Sequence, residues 1–319
     1  GGSVANVFLS EPGWRIRGVT RNLSQEASRN LEAKGIEMVV GDLDNPSTLI
    51  PAFEGAHAIF GVTDFWQPIL HPENTVPLPS DQPLNQACYD LEVRRGKNIA
   101  NAAAKVSTLE RFVFSSVSRA KKWSKGKYSR VYHFDSKAAV VDYIRESLPD
   151  LSKKMSTVNI GLYATNWKIF PFLGPRKQSD GTYVLSSAAD PNTPLPMIDT
   201  GKDTGYLVRA LIQVPAGKTL LGFGSMISWS DYMTLWGDIL GLPGSRYEQI
   251  DLETAAKLAP GNRDLGYEIA EGFAFMGEFG FDGGDPTVLH PRDSKLGVDC
   301  PTTSMENYIR NEDWSLILC

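Results

Sequence analysis

The sequence predicts an α/β protein: a doubly wound parallel sheet with a smaller α/β region on the side where a substrate would sit. Three observations carry that reading. Between residues 14 and 161 short apolar segments alternate with amphipathic ones, the pattern of successive βαβ units. The apolar segments are rich in Val, Ile and Phe, as strands buried on both faces must be. After residue 161 the alternation stops and a proline-rich stretch, FPFLGPRKQSDGTYVLSSAADPNTPLPMIDT, takes over. The chain therefore divides into a sheet domain over 1–161 and a smaller region over 162–319 integrated with it.

In chain order, Val4, Val7 and Phe8 recur at helical spacing behind two glycines and Ser3, and Glu11, Pro12 and Gly13 stop that helix. WRIRGVT (14–20) then reads as a strand. A glycine-led helix followed by a strand is the second half of a βαβ unit, and its first strand is absent. Further strands are IEMVV (36–40), AHAIFGV (56–62), RFVFSSV (111–117) and STVNIG (156–161), separated by helices over 24–34, 46–55, 89–105 and 133–147. Beyond residue 161 the patterning predicts helices near 203–213 and 229–240, a strand over 218–224 and a mostly helical tail. Residues 64–87 are proline-studded, without periodicity, and carry Phe65 and Trp66. Structureless loops of that length are usually lids or binding loops, so this one is expected to cover an active site.

Composition removes several classes of function. Of 319 residues 42% are hydrophobic and 22% charged, and no apolar run approaches the ~20 residues of a membrane helix. A net charge of −5 leaves no positive footprint for a phosphate backbone, so neither membrane insertion nor direct nucleic-acid binding is expected. The one basic cluster, RAKKWSKGKYSR (119–130), reads as a solvated loop or a rim for anionic ligands. Cys88, Cys300 and Cys319 are odd in number and form no C-x-x-C pair, which points to a reducing, cytoplasmic setting. His57, His71, His133 and His290 lack ligand spacing, so no metal is expected.

Ligands of open α/β sheets bind beyond the carboxyl ends of the strands. The residues there are Thr20, Arg21 and Asn22; Gly41, Asp42 and Leu43; Thr63 and Asp64; and Ser115, Ser116 and Val117. Arg21 stands where a fold that binds NAD carries an acidic residue. Its guanidinium suits the 2′-phosphate of NADP, the alternative being a surface ion pair. GLYATNW (161–167) offers Tyr163, Asn166 and Trp167 as a substrate wall or as packing between the two regions.

GGSVA (1–5), VTRN (19–22), GDLDN (41–45), VTD (62–64) and HFDSK (133–137) together resemble the NmrA-like family, an atypical branch of the short-chain dehydrogenase/reductase superfamily. The resemblance runs from residue 1 to about 170 and continues weakly over 197–221. It implies a Rossmann-like domain and an NADP(H) site. In that site Gly1 and Gly2 enter the helix beside the pyrophosphate, and Arg21 and Asn22 hold the 2′-phosphate. Asp42 and Leu43 lie beside the adenine, Thr63 along the ribose path, and Lys137 and Tyr163 near the nicotinamide ribose. Family members open with a strand and a G-x-x-G-x-x-G-G-S-V-A turn, which makes Gly1 the third motif glycine. The resemblance thus predicts a sequence that starts part-way through the motif, or else impaired cofactor affinity.

HFDSK limits the chemistry. Short-chain reductases use a Tyr and a Lys four residues later on one helix face, where the ammonium lowers the phenol pKa. Here His133 holds the Tyr position and Lys137 is kept. His133 either donates a proton or packs beside Phe134, Ala138, Val141 and Ile144. Ser116 falls where such enzymes place a catalytic Ser, and Tyr128 or Tyr132 offers a displaced phenol. The leading expectation is an NADP(H)-dependent oxidoreductase acting on a small organic molecule under a Phe65–Trp66 lid. One alternative is a redox sensor or transcriptional co-regulator that works through a protein partner without turnover; another is a non-redox enzyme with structural NADP.

Overall fold

A computed structural model describes residues 1–261 and 263–318, so Cys319 lies outside the described residues. Its strands are β1 (Arg17–Thr20), β2 (Glu37–Val40), β3 (Ala58–Gly61), β4 (Arg111–Ser116), β5 (Met155–Ile160), β6 (Leu162–Tyr163) and β7 (Arg176–Lys177). β8 (Tyr183–Ser187), β9 (Leu195–Ile198), β10 (Thr219–Gly222), β11 (Ser225–Ile227), β12 (Arg246–Gln249) and β13 (Val288–Leu289) follow. The helices that position the cavity are α1 (Gly2–Leu9), α2 (Leu84–Ala103), α3 (Tyr132–Ser147), α4 (Thr200–Gln213) and α5 (Arg263–Phe279).

The central sheet is parallel, in the order β13-β10-β5-β4-β3, and β1 and β2 form a separate parallel pair. Among the described residues β1 pairs only with β2, and β3 only with β4. A slot runs between their free edges.

Period-two alternation in β4 explains why helices cover both faces. Phe112 and Phe114 point to one face and join Ile99 and Ala103 of α2 and Val140, Val141 and Ile144 of α3 in one core. Val113 points to the other and meets Phe8 of α1 and Leu207, Val208 and Leu211 of α4. Each such fully buried side chain contributes about 1.5–3 kcal/mol.

The second region departs from expectation. Within 218–224 the expected strand forms over Thr219–Gly222, but as β10 it enters the central sheet parallel to β5, with Thr219 opposite Thr157. Two further three-stranded sheets, β11-β9-β6 and β12-β8-β7, occupy chain that reads as irregular or helical. Their strands are two to five residues long, too short to show a period between the prolines. The 64–87 segment is also less loose than predicted: Gln67–Leu70 is helical, Pro72–Asn74 is a 3₁₀ turn, and α2 begins at Leu84, ahead of the expected 89.

α2 and α3 touch at Gly96, where an added Cβ would lie 2.4 Å from Val140 Cγ2 and 3.2 Å from Val140 Cβ. Gly96→Ala gains about 1 kcal/mol of helix propensity but overpacks a branched neighbour at a cost of roughly 1–3 kcal/mol. A net loss of stability, read as a lower urea midpoint with unchanged m-value, is the expected outcome.

Candidate functional site

A cavity of about 1480 Å³ opens at the carboxyl ends of β1, β2 and β3 and includes the slot between β1 and β3. Gly1, Gly2, Arg21, Asp42 and Leu43 line one part of it; Phe65, Trp66, His133, Lys137, Tyr163 and Asn166 line another, with Thr63 also in the wall. Asn22, Ser116 and Trp167 are not in its lining.

At the first end, α1 starts at Gly1 with no side-chain cap, so its leading N–H groups have no intrahelical acceptor. Side-chain atoms added at Gly1 or Gly2 would meet nothing within 4 Å. The exposed Arg21 guanidinium donates to the carbonyl of Asn74, tying this end to the 3₁₀ turn of the 64–87 segment. Asp42 donates its N–H to Thr48 Oγ1 at 2.8 Å and accepts the Asp44 N–H through Oδ1 at 2.9 Å; the Leu43 carbonyl accepts from Asn98 Nδ2 at 2.8 Å. Thr63 Oγ1 is buried with no hydrogen-bond partner. Such an orphaned hydroxyl costs about 1–3 kcal/mol unless something satisfies it.

At the second end, α3 is held from two sides by buried carboxylates. Lys137 pairs with Glu92 of α2 and donates from Nζ to the Thr63 carbonyl at 3.3 Å, while Ser136 donates its hydroxyl to the other Glu92 oxygen. The Glu92 side chain is 1% exposed and that of Lys137 15%. Glu268 of α5, 0% exposed, accepts the backbone N–H of His133 at 2.8 Å, His133 Nδ1 at 2.5 Å and Asn85 Nδ2 at 2.9 Å. The His133 ring lies 5.0 Å from Trp66 and 4.8 Å from Phe134, and Trp66 meets Phe170 at 5.4 Å. Phe273, Met276 and Phe281 also line the cavity, giving it an apolar, aromatic wall. The Tyr163 phenol is pushed up to about 12, first by the surrounding protein and then by Asp64 and Glu92.

The 64–75 stretch is a wall rather than a free lid. Phe65 is buried, and Arg95 of α2 clamps the segment by donating from Nη1 to Gln67 Oε1 at 2.7 Å and from Nη2 to Thr75 Oγ1 at 2.9 Å. The same guanidinium grips Asp44 at 2.6 Å. Burial pushes the Asp44 carboxyl up, but Arg95 and Arg94 outweigh it and hold the group below its usual range.

Three expected residues are spent elsewhere. Asn22 Oδ1 accepts from Ser24 N at 2.9 Å and shapes a turn. The Ser116 hydroxyl is buried and donates to the Val117 carbonyl at 3.3 Å. Trp167 stacks on Trp314 at 4.9 Å and points its indole N–H at Tyr308, making it core and not substrate wall. Tyr128, bonded to Glu278 at 2.7 Å, and Tyr132 also stay out of the lining. Conversely, Glu92, Arg95 and Glu268 escape sequence reading although each is a charge inside an apolar stripe. Glu268 falls among Leu265, Ile269 and Met276, and that misfit is the signal that could have found it.

Removing the Lys137 ammonium strands a buried charge. Lys137→Ala is expected to cost about 3–5 kcal/mol, and the double variant Lys137→Met/Glu92→Leu to regain most of it, because an apolar pair can replace a buried ion pair. Urea unfolding of both checks this. Burial raises the Asp135 carboxyl from its ordinary 3.8 to about 6, against the opposing Lys121 N–H and His133. The fold therefore holds a proton that the unfolded chain releases. Its contribution is full below pH ~4 and fades as pH rises through about 6. Asp135→Asn should gain stability relative to the native chain across that window by about 2–3 kcal/mol, measured by unfolding at pH 4 and pH 8.

Among the described residues no helix is long and apolar enough to cross a membrane, and no three His, Cys, Asp or Glu side chains are grouped to hold a metal ion. The chain is similar to the NmrA-like family domain-containing oxidoreductase cpsB of Aspergillus campestris, with 26% identity over 67% of this chain and 61% of that protein. The match thus spans about three fifths of that relative's length. It is also similar to the nitrogen metabolite repression protein nmrA of Emericella nidulans, at 26% identity over 63% of this chain and 50% of that one. Its fold is shared with the negative transcriptional regulator NmrA solved in complex with NAD (TM-score 0.68, 21% identity, 97% of this chain and 90% of that one). The NADP complex of NmrA gives a TM-score of 0.66 at 20% identity over the same shares. The family profile matches residues 1–309, almost the whole sequence, and the chain belongs to the NmrA-like family.

Proposed function

We propose that this chain is a nicotinamide-dinucleotide-dependent oxidoreductase that prefers NADP(H) and acts on a small, apolar organic molecule. The observation that carries the reading is a single cavity, lined by an uncapped helix start and an exposed arginine bonded to the Asn74 carbonyl as well as by an aromatic wall bearing an imidazole and an ammonium. A dinucleotide fits the donors present. The N–H groups of Gly1 and Gly2 would meet the pyrophosphate, with Asp42 and Leu43 beside the adenine. Arg21 would take the 2′-phosphate, and its neighbour Asn22 would shape the turn that presents it. The orphaned Thr63 hydroxyl, with Lys137 and Tyr163, would serve the nicotinamide ribose.

When bound, the nicotinamide supplies or accepts hydride. The chain's own residues supply the rest: Phe65, Trp66 and Asn166 form the substrate wall and exclude water, and Lys137 polarises the reacting oxygen. His133 delivers or removes a proton. Ser116 and Trp167 are given no part. The buried thiols of Cys88 and Cys300 suit a reducing, cytoplasmic setting. One contact favours a second reading, a redox sensor with a protein partner: Arg21 already holds the Asn74 carbonyl, so a 2′-phosphate would compete with the 64–75 segment for it.

Calorimetric titration with NAD, NADH, NADP and NADPH, followed by a screen for nicotinamide absorbance change, tests the proposal. Arg21→Ala should weaken NADP(H) binding by about 1.5–3 kcal/mol, the worth of a charged hydrogen bond, and barely affect NAD(H). Equal binding of both pairs before and after that change overturns the NADP preference. Absence of binding by all four overturns the whole reading.

A further inference from the structure

We infer that Glu268 is a positioning residue, whose buried carboxylate holds His133 in the tautomer that turns an unprotonated Nε2 toward the aromatic chamber, where it exchanges a proton with an O–H or N–H carried by an apolar ring. The inference rests on the proposed role of that chamber as the place where substrate binds.

The tautomer follows from donor and acceptor counting. An ionised carboxylate only accepts, and Glu268 Oε1 faces both the backbone N–H of His133, at 2.8 Å, and Nδ1, at 2.5 Å. Nδ1 therefore carries a proton, and in the neutral ring the lone pair falls on Nε2. The second oxygen, Oε2, accepts from Asn85 Nδ2 at 2.9 Å, so the carboxylate cannot swing away from the imidazole without losing that bond. Asn85 is itself anchored, through the same amide, to the carbonyl of Asp264 at 2.9 Å.

The other edge of the ring is kept open. One turn along α5 from Glu268, residue 272 is glycine; a Cβ there would lie 3.4 Å from His133 Cε1 and 4.0 Å from Nε2. The ring packs against Phe65, Trp66 and Phe134, and Phe273 and Phe281 also line the cavity, which favours an uncharged ring over a polar ligand. The proton step balances within the site. A ligand O–H or N–H gives its proton to Nε2, the ring becomes an imidazolium, and the Glu268 charge 2.5 Å from Nδ1 compensates it. The reverse step returns the proton.

Long-range ¹H–¹⁵N spectra of the imidazoles, recorded at mildly alkaline pH on the labelled full chain without dinucleotide, read the tautomer directly. His133→Gln supplies the assignment. The native chain should show a pyrrole-type Nδ1 and a pyridine-type Nε2 at His133, and Glu268→Gln, whose amide can donate to Nδ1, should move the ring toward the Nε2–H form. Carbethoxylation by diethyl pyrocarbonate, followed peptide by peptide, should modify His133 along with the exposed His57 and His71. Gly272→Ala should slow it severalfold at His133 alone and leave the tautomer intact. An Nε2–H tautomer in the native chain, an unchanged tautomer in a folded Glu268→Gln variant, or a His133 that resists the reagent would each overturn the inference. The native spectrum decides even if Glu268→Gln fails to fold. Because no cofactor enters these measurements, they can fail while the calorimetric test succeeds, and the reverse.

Discussion

Glu92 and Glu268 are removed from water almost entirely, so the charge of each has to be met by groups inside the protein, and both are met by α3. That demand fixes the helix. A buried carboxylate left unpaired costs several kcal/mol, so any rotation or slide of α3 that parted Lys137 from Glu92, or His133 from Glu268, is strongly disfavoured. The i, i+4 spacing of His133 and Lys137 puts both on one side of the helix, and the two acids come from different elements, α2 and α5. The cavity's ammonium and imidazole are thereby set to one another before any ligand arrives, which is the condition for acid–base chemistry at a defined point.

The sheet supplies the other coordinate. Two residues beyond β3 lies Thr63, whose carbonyl receives Lys137 and whose hydroxyl is left buried and unpartnered, so the chain leaving the strand and a helix face meet at one residue. α2 links this point to the far end of the cavity. From its successive turns Glu92 reaches α3, Arg95 reaches Asp44 and the 64–75 wall, and Gly96 admits Val140. Arg21, bonded to Asn74, closes the circuit back to β1. The two ends of the cavity are therefore tied to one another through α2 and the 64–75 segment.

Much of this was legible in the sequence where periodicity and residue type coincide. The strands from β1 to β5 announce themselves through apolar runs that parallel sheets require, and strand-end residues such as Arg21, Asp42 and Thr63 do line one cavity. Reading by spacing also brought His133 and Lys137 together, since four residues on a helix is a local fact. What escaped it was non-local. Glu268 lies 135 positions from His133 and Glu92 lies 45 from Lys137, and no window of sequence contains either pair. Ser116 and Trp167 lie outside the cavity lining for the opposite reason: a hydroxyl and an indole take whichever partner packing brings, and here it brought the Val117 carbonyl and Trp314.

The contrast between the two acids bears on what the cavity is for. Glu92 meets a full positive charge, and the pair would hold α2 to α3 whatever bound nearby. Glu268 meets the imidazole through one hydrogen bond, a backbone N–H through a second and an amide through a third. An apolar side chain at residue 268 would fit its flanking Leu265, Ile269 and Met276 but would leave the His133 N–H, His133 Nδ1 and the Asn85 amide without their acceptor. A buried anion against an imidazole gains most when that imidazole is charged. In the inferred proton exchange the Glu268 carboxylate would stabilise the positive charge that develops on His133.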